Sequence, residues 1–255
     1  MTIRWNGRNG PKPGCYLRRM ERSHTRPWVV FDLGEVLSQS PTHLAELAGL
    51  LDADEPEFAA AYWKPRRAYD DGMAGAAYWR SIGESLGVRV DEALLQRLIE
   101  VDSLGWTTLH PDSLPLLLDV KAAGHGLALL SNLPHELAER VRAHSWSEAF
   151  DLLVLSCEVG ASKPDPAIYR AVEERIADCA NCAGAGVIGA AGTTETAYPA
   201  DASGASPGTP SISITFFDDR PENVAAALVA GWRARLWAGH ADARSFLASA
   251  GILGR

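Results

Sequence analysis

The stretch Trp28-Val29-Val30-Phe31-Asp32-Leu33-Gly34 sets four apolar residues directly before an acid and a glycine. Aromatic and β-branched residues without polar alternation read as a strand covered on both faces, which is the habit of a parallel sheet. The acid then falls where that strand ends. Similar runs follow. Leu127-Ala128-Leu129-Leu130 ends at Ser131-Asn132, Leu152 to Leu155 forms a third run, and Ile212 to Phe217 ends at Asp218-Asp219. Arg233 to Trp237 reads as an edge strand.

Helical stretches separate these runs. Asp165-Pro166 offers an N-cap followed by proline at the first helical position, opening a helix toward Ile176. Pro221 opens another that stops at Gly231, and a helix from Asp112 stops near Gly124. Strands alternating with helices predict an α/β fold, a Rossmann-like parallel sheet with crossover helices.

Two insertions interrupt that plan. Between the first two strands, from about Ser40 to His110, the pattern is helical throughout. Leu44, Leu47, Ala48 and Leu51 share one face, as do Leu94, Leu95, Leu98 and Ile99. This predicts a helical cap over 40–110, with the core made of 27–39 and 111–255. The second insertion, 178–210, is rich in Ala, Gly, Thr, Ser and Pro without a period, and its composition predicts disorder.

Bulk properties narrow the function. The 255 residues are 47% hydrophobic and 22% charged, with net charge −8. Residues 1–26 carry seven Lys/Arg and one acid, so the body is more acidic than the whole. An acidic body excludes nucleic acid as the main partner, which would need a basic face. The basic, Gly- and Pro-containing tail is read as disordered, and Met20 is a second candidate start. No apolar run reaches the ~20 residues of a membrane span, and no apolar leader opens the chain, so no membrane partner is expected and a cytoplasmic location is. Four cysteines make no disulfide framework. Cys179 and Cys182 form an isolated CxxC without a second ligand pair, and the seven histidines show no metal-binding spacing.

The chemistry gathers at one edge. In an open parallel sheet, ligands bind outside the carboxyl ends of the strands. Asp32, Ser131, Asn132, Lys163, Asp218 and Asp219 all fall at or just past such ends. A carboxylate, a hydroxyl, an ammonium and an acidic pair on one rim suit Mg²⁺-assisted phosphoryl transfer on a small phosphorylated substrate. In that chemistry Asp32 is the nucleophile, Lys163 a fixed positive charge, and Ser131 a donor to phosphate oxygens.

The segments Val30 to Gly34, Leu130-Ser131-Asn132, Ser162-Lys163-Pro164-Asp165-Pro166-Ala167-Ile168-Tyr169 and Phe217 to Asn223 resemble, in order, the four motifs of haloacid dehalogenase-like hydrolases. The insertion after the first strand is similar to the helical cap of that superfamily's first subclass. The resemblance implies that Asp32 and Lys163 are catalytic and that Ser131, Asn132 and Lys163 bind phosphate. It also implies that Asp32, the Gly34 carbonyl, Asp218 and Asp219 serve Mg²⁺.

Gly34 departs from the pattern, because most phosphatases of this superfamily have a second Asp there as leaving-group acid. Without an acid, substrates with good leaving groups are favoured: acyl, anomeric sugar or aryl phosphates. Glu35 is the next acid, and strand alternation aims its side chain away from Asp32. Trp63, Arg66, Arg67 and Tyr69 are cap candidates for meeting the leaving group; the competing reading makes them a cap core stripe with a charged face. Two rival functions stand beside phosphatase. A 2-haloacid dehalogenase needs no metal and no acid at position 34. A degenerate member would bind a phosphorylated ligand without turnover.

Overall fold

The computed structural model describes residues 26–38, 42–184 and 213–254, with the backbone alone over 180–184. The expected disordered tail therefore falls almost wholly outside the described residues, as does most of 178–210.

Strand β1 (Trp28–Phe31) lies at the centre of the sheet. β2 (Gly126–Ser131) and β3 (Leu152–Leu155) extend it on one side, β4 (Ile214–Asp218) and β5 (Arg233–Leu236) on the other. All four pairings are parallel, with Phe31 level with Leu129 and Phe217. The order β3-β2-β1-β4-β5 reverses direction beside β1, which creates the crevice where open α/β sheets bind ligands. Every residue of β1, β2 and β4 is buried, while Arg233 and Leu236 of β5 are exposed, as an edge position requires.

Alternation along β1 feeds two cores. Val29 and Phe31 face helices α6 (Ser113–Ala122), α7 (His135–Ala143) and α11 (His240–Ser249). Trp28 and Val30 face α9 (Pro166–Gly184) and α10 (Pro221–Val229). The one-turn helix α8 (Ser156–Val159) follows β3 directly. Asp165 caps α9 as its sequence suggests, accepting from Ala167 N at 2.8 Å. The helix continues to Gly184, past the point at 178 where irregular chain was expected. Ala177, Ala180 and Ala183 give this stretch a helix propensity that the low-complexity reading overlooked.

The cap contains α1 (His43–Leu50), α2 (Glu55–Trp63), α3 (Arg66–Asp70), α4 (Gly75–Ser85) and α5 (Glu92–Thr107). It has its own core, where Leu47, Phe58, Tyr62, Tyr78, Trp79 and Leu98 are all nearly inaccessible. Gly105 lets α1 approach α5: a Cβ there would lie 2.0 Å from the His43 ring. The two linkers between cap and core run side by side, joined by an antiparallel bridge between Ser38 and Leu109 and by His110 N to Leu37 O at 2.8 Å. Among the described residues no helix is long and apolar enough to cross a membrane.

Candidate active site

Asp32 leaves β1 at the central crevice and is 7% exposed. Its Oδ1 accepts from Leu33 N at 2.7 Å and from Lys163 Nζ at 2.8 Å. Lys163 comes from the loop before α9 and is fully enclosed. Its ammonium reaches Asp32 Oδ1, Asp218 Oδ2 at 2.7 Å and Leu130 O at 2.9 Å, so all three N–H groups are occupied. A phosphate can touch this ammonium only by replacing one of those bonds.

Asn132 clamps the lysine loop. Its Nδ2 donates to Lys163 O at 2.9 Å and its Oδ1 accepts from Lys163 N at 2.8 Å. The expectation that Asn132 binds phosphate therefore gives way to a positioning contact for its side chain. The pairing of an asparagine amide with a peptide group 31 residues away is a tertiary event that spacing does not reveal.

Asp218, at the end of β4, is wholly buried. Oδ1 accepts from Arg220 N and from Asn223 Nδ2, both at 2.9 Å, while Oδ2 holds Lys163. Asp219 is only partly enclosed. One carboxylate oxygen from each of Asp32, Asp218 and Asp219 lies within 4.8 Å of the others. Three carboxylates around one ammonium repel, and the titration of the group reflects this. Burial, then Asp32 and Asp218, push the Asp219 carboxyl up to about 7. Burial also raises Asp32, against the pull of Lys163. At Lys163 burial favours the neutral amine, but Asp218 and Asp32 outweigh it and hold the ammonium. Hard oxygen donors clustered around unrelieved negative charge fit a small divalent cation such as Mg²⁺. Gly34, the remaining expected ligand, lines the same cavity.

That cavity, of about 750 Å³, lies between sheet rim and cap. The core contributes Asp32, Gly34, Ser131, Asn132, Lys163 and Asp219, and the cap contributes Trp63, Arg66, Arg67, Asp70 and Trp106. Of the four cap candidates, Trp63 (47% exposed), Arg66 and Arg67 line it. Tyr69 does not: it is 1% exposed and stacks on Tyr78, with ring centroids 4.0 Å apart. Glu35 also lines the cavity. Its φ of 55° belongs to a turn in which Leu37 N and Ser38 N both reach Leu33 O, so strand alternation no longer applies.

Arg66 is the least expected feature, a guanidinium buried in the cap. Nε donates to Asp70 Oδ1 at 2.9 Å; Nη1 donates to the Tyr62 hydroxyl and lies 3.6 Å from Asp102 Oδ2. Trp106 Nε1 joins the same group, 3.0 Å from the Tyr62 hydroxyl and 3.1 Å from Asp102 Oδ1. Burial pushes the Asp70 carboxyl up to about 6, with Arg66 opposing. The Trp106 ring also fills the space over Gly34, where a Cβ would stand 3.4 Å from Cζ3. Asp102, Trp106 and Asn223 were given no role in the sequence reading. Only Asn223 carried a legible signal, at the start of a helix after an acidic pair.

Cap and core are also latched by direct hydrogen bonds. Ser156 Oγ donates to Asp70 O at 2.5 Å, Ser162 Oγ to Asp71, and Gly75 N to Glu136 Oε1 at 3.0 Å.

Known proteins share the fold. Residues 27–186 match the haloacid dehalogenase-like hydrolase family. The (S)-2-haloacid dehalogenase H-109 of Pseudomonas putida is 35% identical over 95 residues, which are 36% of this chain and 41% of that protein. The chain thus matches about two fifths of that relative's length. The structure resembles a HAD family enzyme, BT-2542, of Bacteroides thetaiotaomicron, solved with magnesium and inorganic phosphate (TM-score 0.56, 18% identity, 84% of this chain and 96% of that one). It also resembles an L-2-haloacid dehalogenase of Xanthobacter autotrophicus with chloropropionic acid covalently bound (TM-score 0.56, 16% identity, 91% and 85% coverage). The family match takes in β1, the whole cap and Lys163, and the chain belongs to the haloacid dehalogenase-like hydrolases.

Proposed function

We propose that this hydrolase is a Mg²⁺-dependent phosphomonoesterase in which Asp32 attacks phosphorus. The observation that carries the reading is the charge at the rim: Asp32, Asp218 and Asp219 meet within 4.8 Å, and the Lys163 ammonium beside them is bonded to Asp32 and Asp218 and not to Asp219. An anionic substrate cannot approach such a group until more positive charge arrives. Asp32, Asp218, Asp219 and the Gly34 carbonyl are the residues that would hold Mg²⁺, which when bound offsets that charge and polarises the phosphoryl group.

The chain's own residues then divide the work. Lys163 and Leu33 N hold Asp32 through Oδ1, which leaves Oδ2 free of both bonds for in-line attack. Asn132 and Asp218 fix the lysine, and Ser131 stands at the end of β2 as a donor to the transferring oxygens. An aspartyl-phosphate on Asp32 is the expected intermediate, hydrolysed in a second step. With Trp106 against Gly34, no side chain at position 34 protonates the leaving group, so aryl, acyl and anomeric phosphates are the favoured class.

A screen of phosphate esters with Mg²⁺ and with a chelator tests this. Turnover should need Mg²⁺ and fall by about 10³-fold or more in Asp32→Asn. Chelator-resistant release of halide from a 2-haloacid would overturn it. That second reading, a haloacid dehalogenase, is favoured by the identity with the Pseudomonas putida dehalogenase and by the absence of an acid at position 34. A carboxylate substrate facing three carboxylates is the physical objection. Turnover by neither assay would leave phospho-ligand binding without chemistry.

A further inference from the structure

Besides the acidic triad, the described residues hold one other group of three metal-ligating side chains whose donor atoms lie within 4.8 Å of one another: His110, Asp112 and His240. None of the three lines the catalytic cavity. His110 and Asp112 lie in the linker returning from the cap, and His240 opens α11 of the core.

The hydrogen bonding prepares His240. Ser113 Oγ donates its one proton to Leu37 O at 2.7 Å, so at 2.7 Å from His240 Nε2 it must accept, and Nε2 carries the hydrogen. Nδ1 of His240 therefore keeps its lone pair. A histidine whose other N–H is fixed by a neighbour, itself fixed by a carbonyl, is the usual outer arrangement around a metal-bound imidazole. His110 Nδ1 sits 3.8 Å from Asp112 Oδ2 and accepts only a long bond, 3.2 Å, from Asp112 N. The two imidazoles are stacked, centroids 4.4 Å apart at 21°, so their lone pairs do not yet converge. The His110 side chain is 44% exposed, which leaves its ring room to turn about Cβ–Cγ.

We propose that His110, Asp112 and His240 form a second metal site, selective for a borderline divalent ion such as Zn²⁺ over Mg²⁺. Two imidazoles and one carboxylate suit zinc, whereas Mg²⁺ prefers oxygen throughout. The position gives the site a consequence. Leu37 O receives both His110 N and Ser113 Oγ, and the next residue, Ser38, bridges to Leu109. An ion here ties the cap's return linker to the core at the hinge and restrains cap opening.

The test is titration of the full chain with Zn²⁺ by calorimetry and with Co²⁺ by visible absorption, in large excess of Mg²⁺ so that the acidic triad is filled. One equivalent should bind, weakened at least about tenfold in His110→Ala and in His240→Gln, about tenfold in Ser113→Ala, and unchanged in Asp219→Asn. Amide exchange at residues 37–38 and 109–113 should slow with Zn²⁺ in the wild type and not in His110→Ala. Binding that survives both histidine variants, or that Asp219→Asn abolishes, overturns the proposal, as does no bound equivalent.

Discussion

The residue that concentrates the electrostatics of the cap is Asp70, whose carboxyl burial raises to about 6 against a usual 3.8. A folded-state pKa above the unfolded value means that the folded protein binds the extra proton between those limits. Stability therefore falls as pH rises from about 4 to about 6, and the loss is complete above it. Asp70→Asn should flatten this slope, read as the denaturant midpoint against pH for both proteins; an unchanged slope would place the titration elsewhere. Gly34 is the second informative residue. Gly34→Asp sets a carboxyl against Trp106, so it should raise turnover of alkyl phosphates relative to aryl phosphates, at the cost of displacing that ring. If wild-type rate already shows no dependence on leaving-group pKa, the missing-acid argument fails.

At the scale of elements, α2, α3 and α5 are joined by the Tyr62 hydroxyl. It donates to Asp102 at 2.7 Å and accepts from Arg66 and Trp106. Tyr62→Phe removes three bonds from this buried group, leaving Trp106 only its bond to Asp102 and Arg66 its pairing with Asp70 and Asp102, and a loss of about 1–3 kcal/mol is expected from thermal or chemical unfolding. Because Arg66 and Trp106 line the cavity, the same variant should raise KM more than it lowers kcat. A stability loss with unaltered kinetics would make this network purely structural. The helical character of these elements was legible in their apolar spacing. Their convergence on one hydroxyl was not, since Tyr62 and Asp102 lie 40 positions apart.

For the whole molecule, the acidic triad makes metal binding a stability measurement. A ligand at about 100 times its Kd stabilises by about 2.7 kcal/mol, so millimolar Mg²⁺ should raise Tm by several degrees and Asp219→Asn should abolish the rise. A haloacid dehalogenase working without metal predicts no rise, which separates the two readings without any substrate.

The sequence by itself determined the parallel sheet, the helical cap and the rim residues Asp32, Ser131, Lys163, Asp218 and Asp219, because strand ends and their polar caps are local in the chain. Only the tertiary structure decided that Asn132 grips the lysine loop, that Tyr69 turns into the cap core while Arg66 and Trp106 face the cavity, and that His110 meets His240 at the hinge. Those outcomes depend on which helix faces pack together. Packing joins side chains by distance in space, and a hydrophobic pattern records only their spacing along one element.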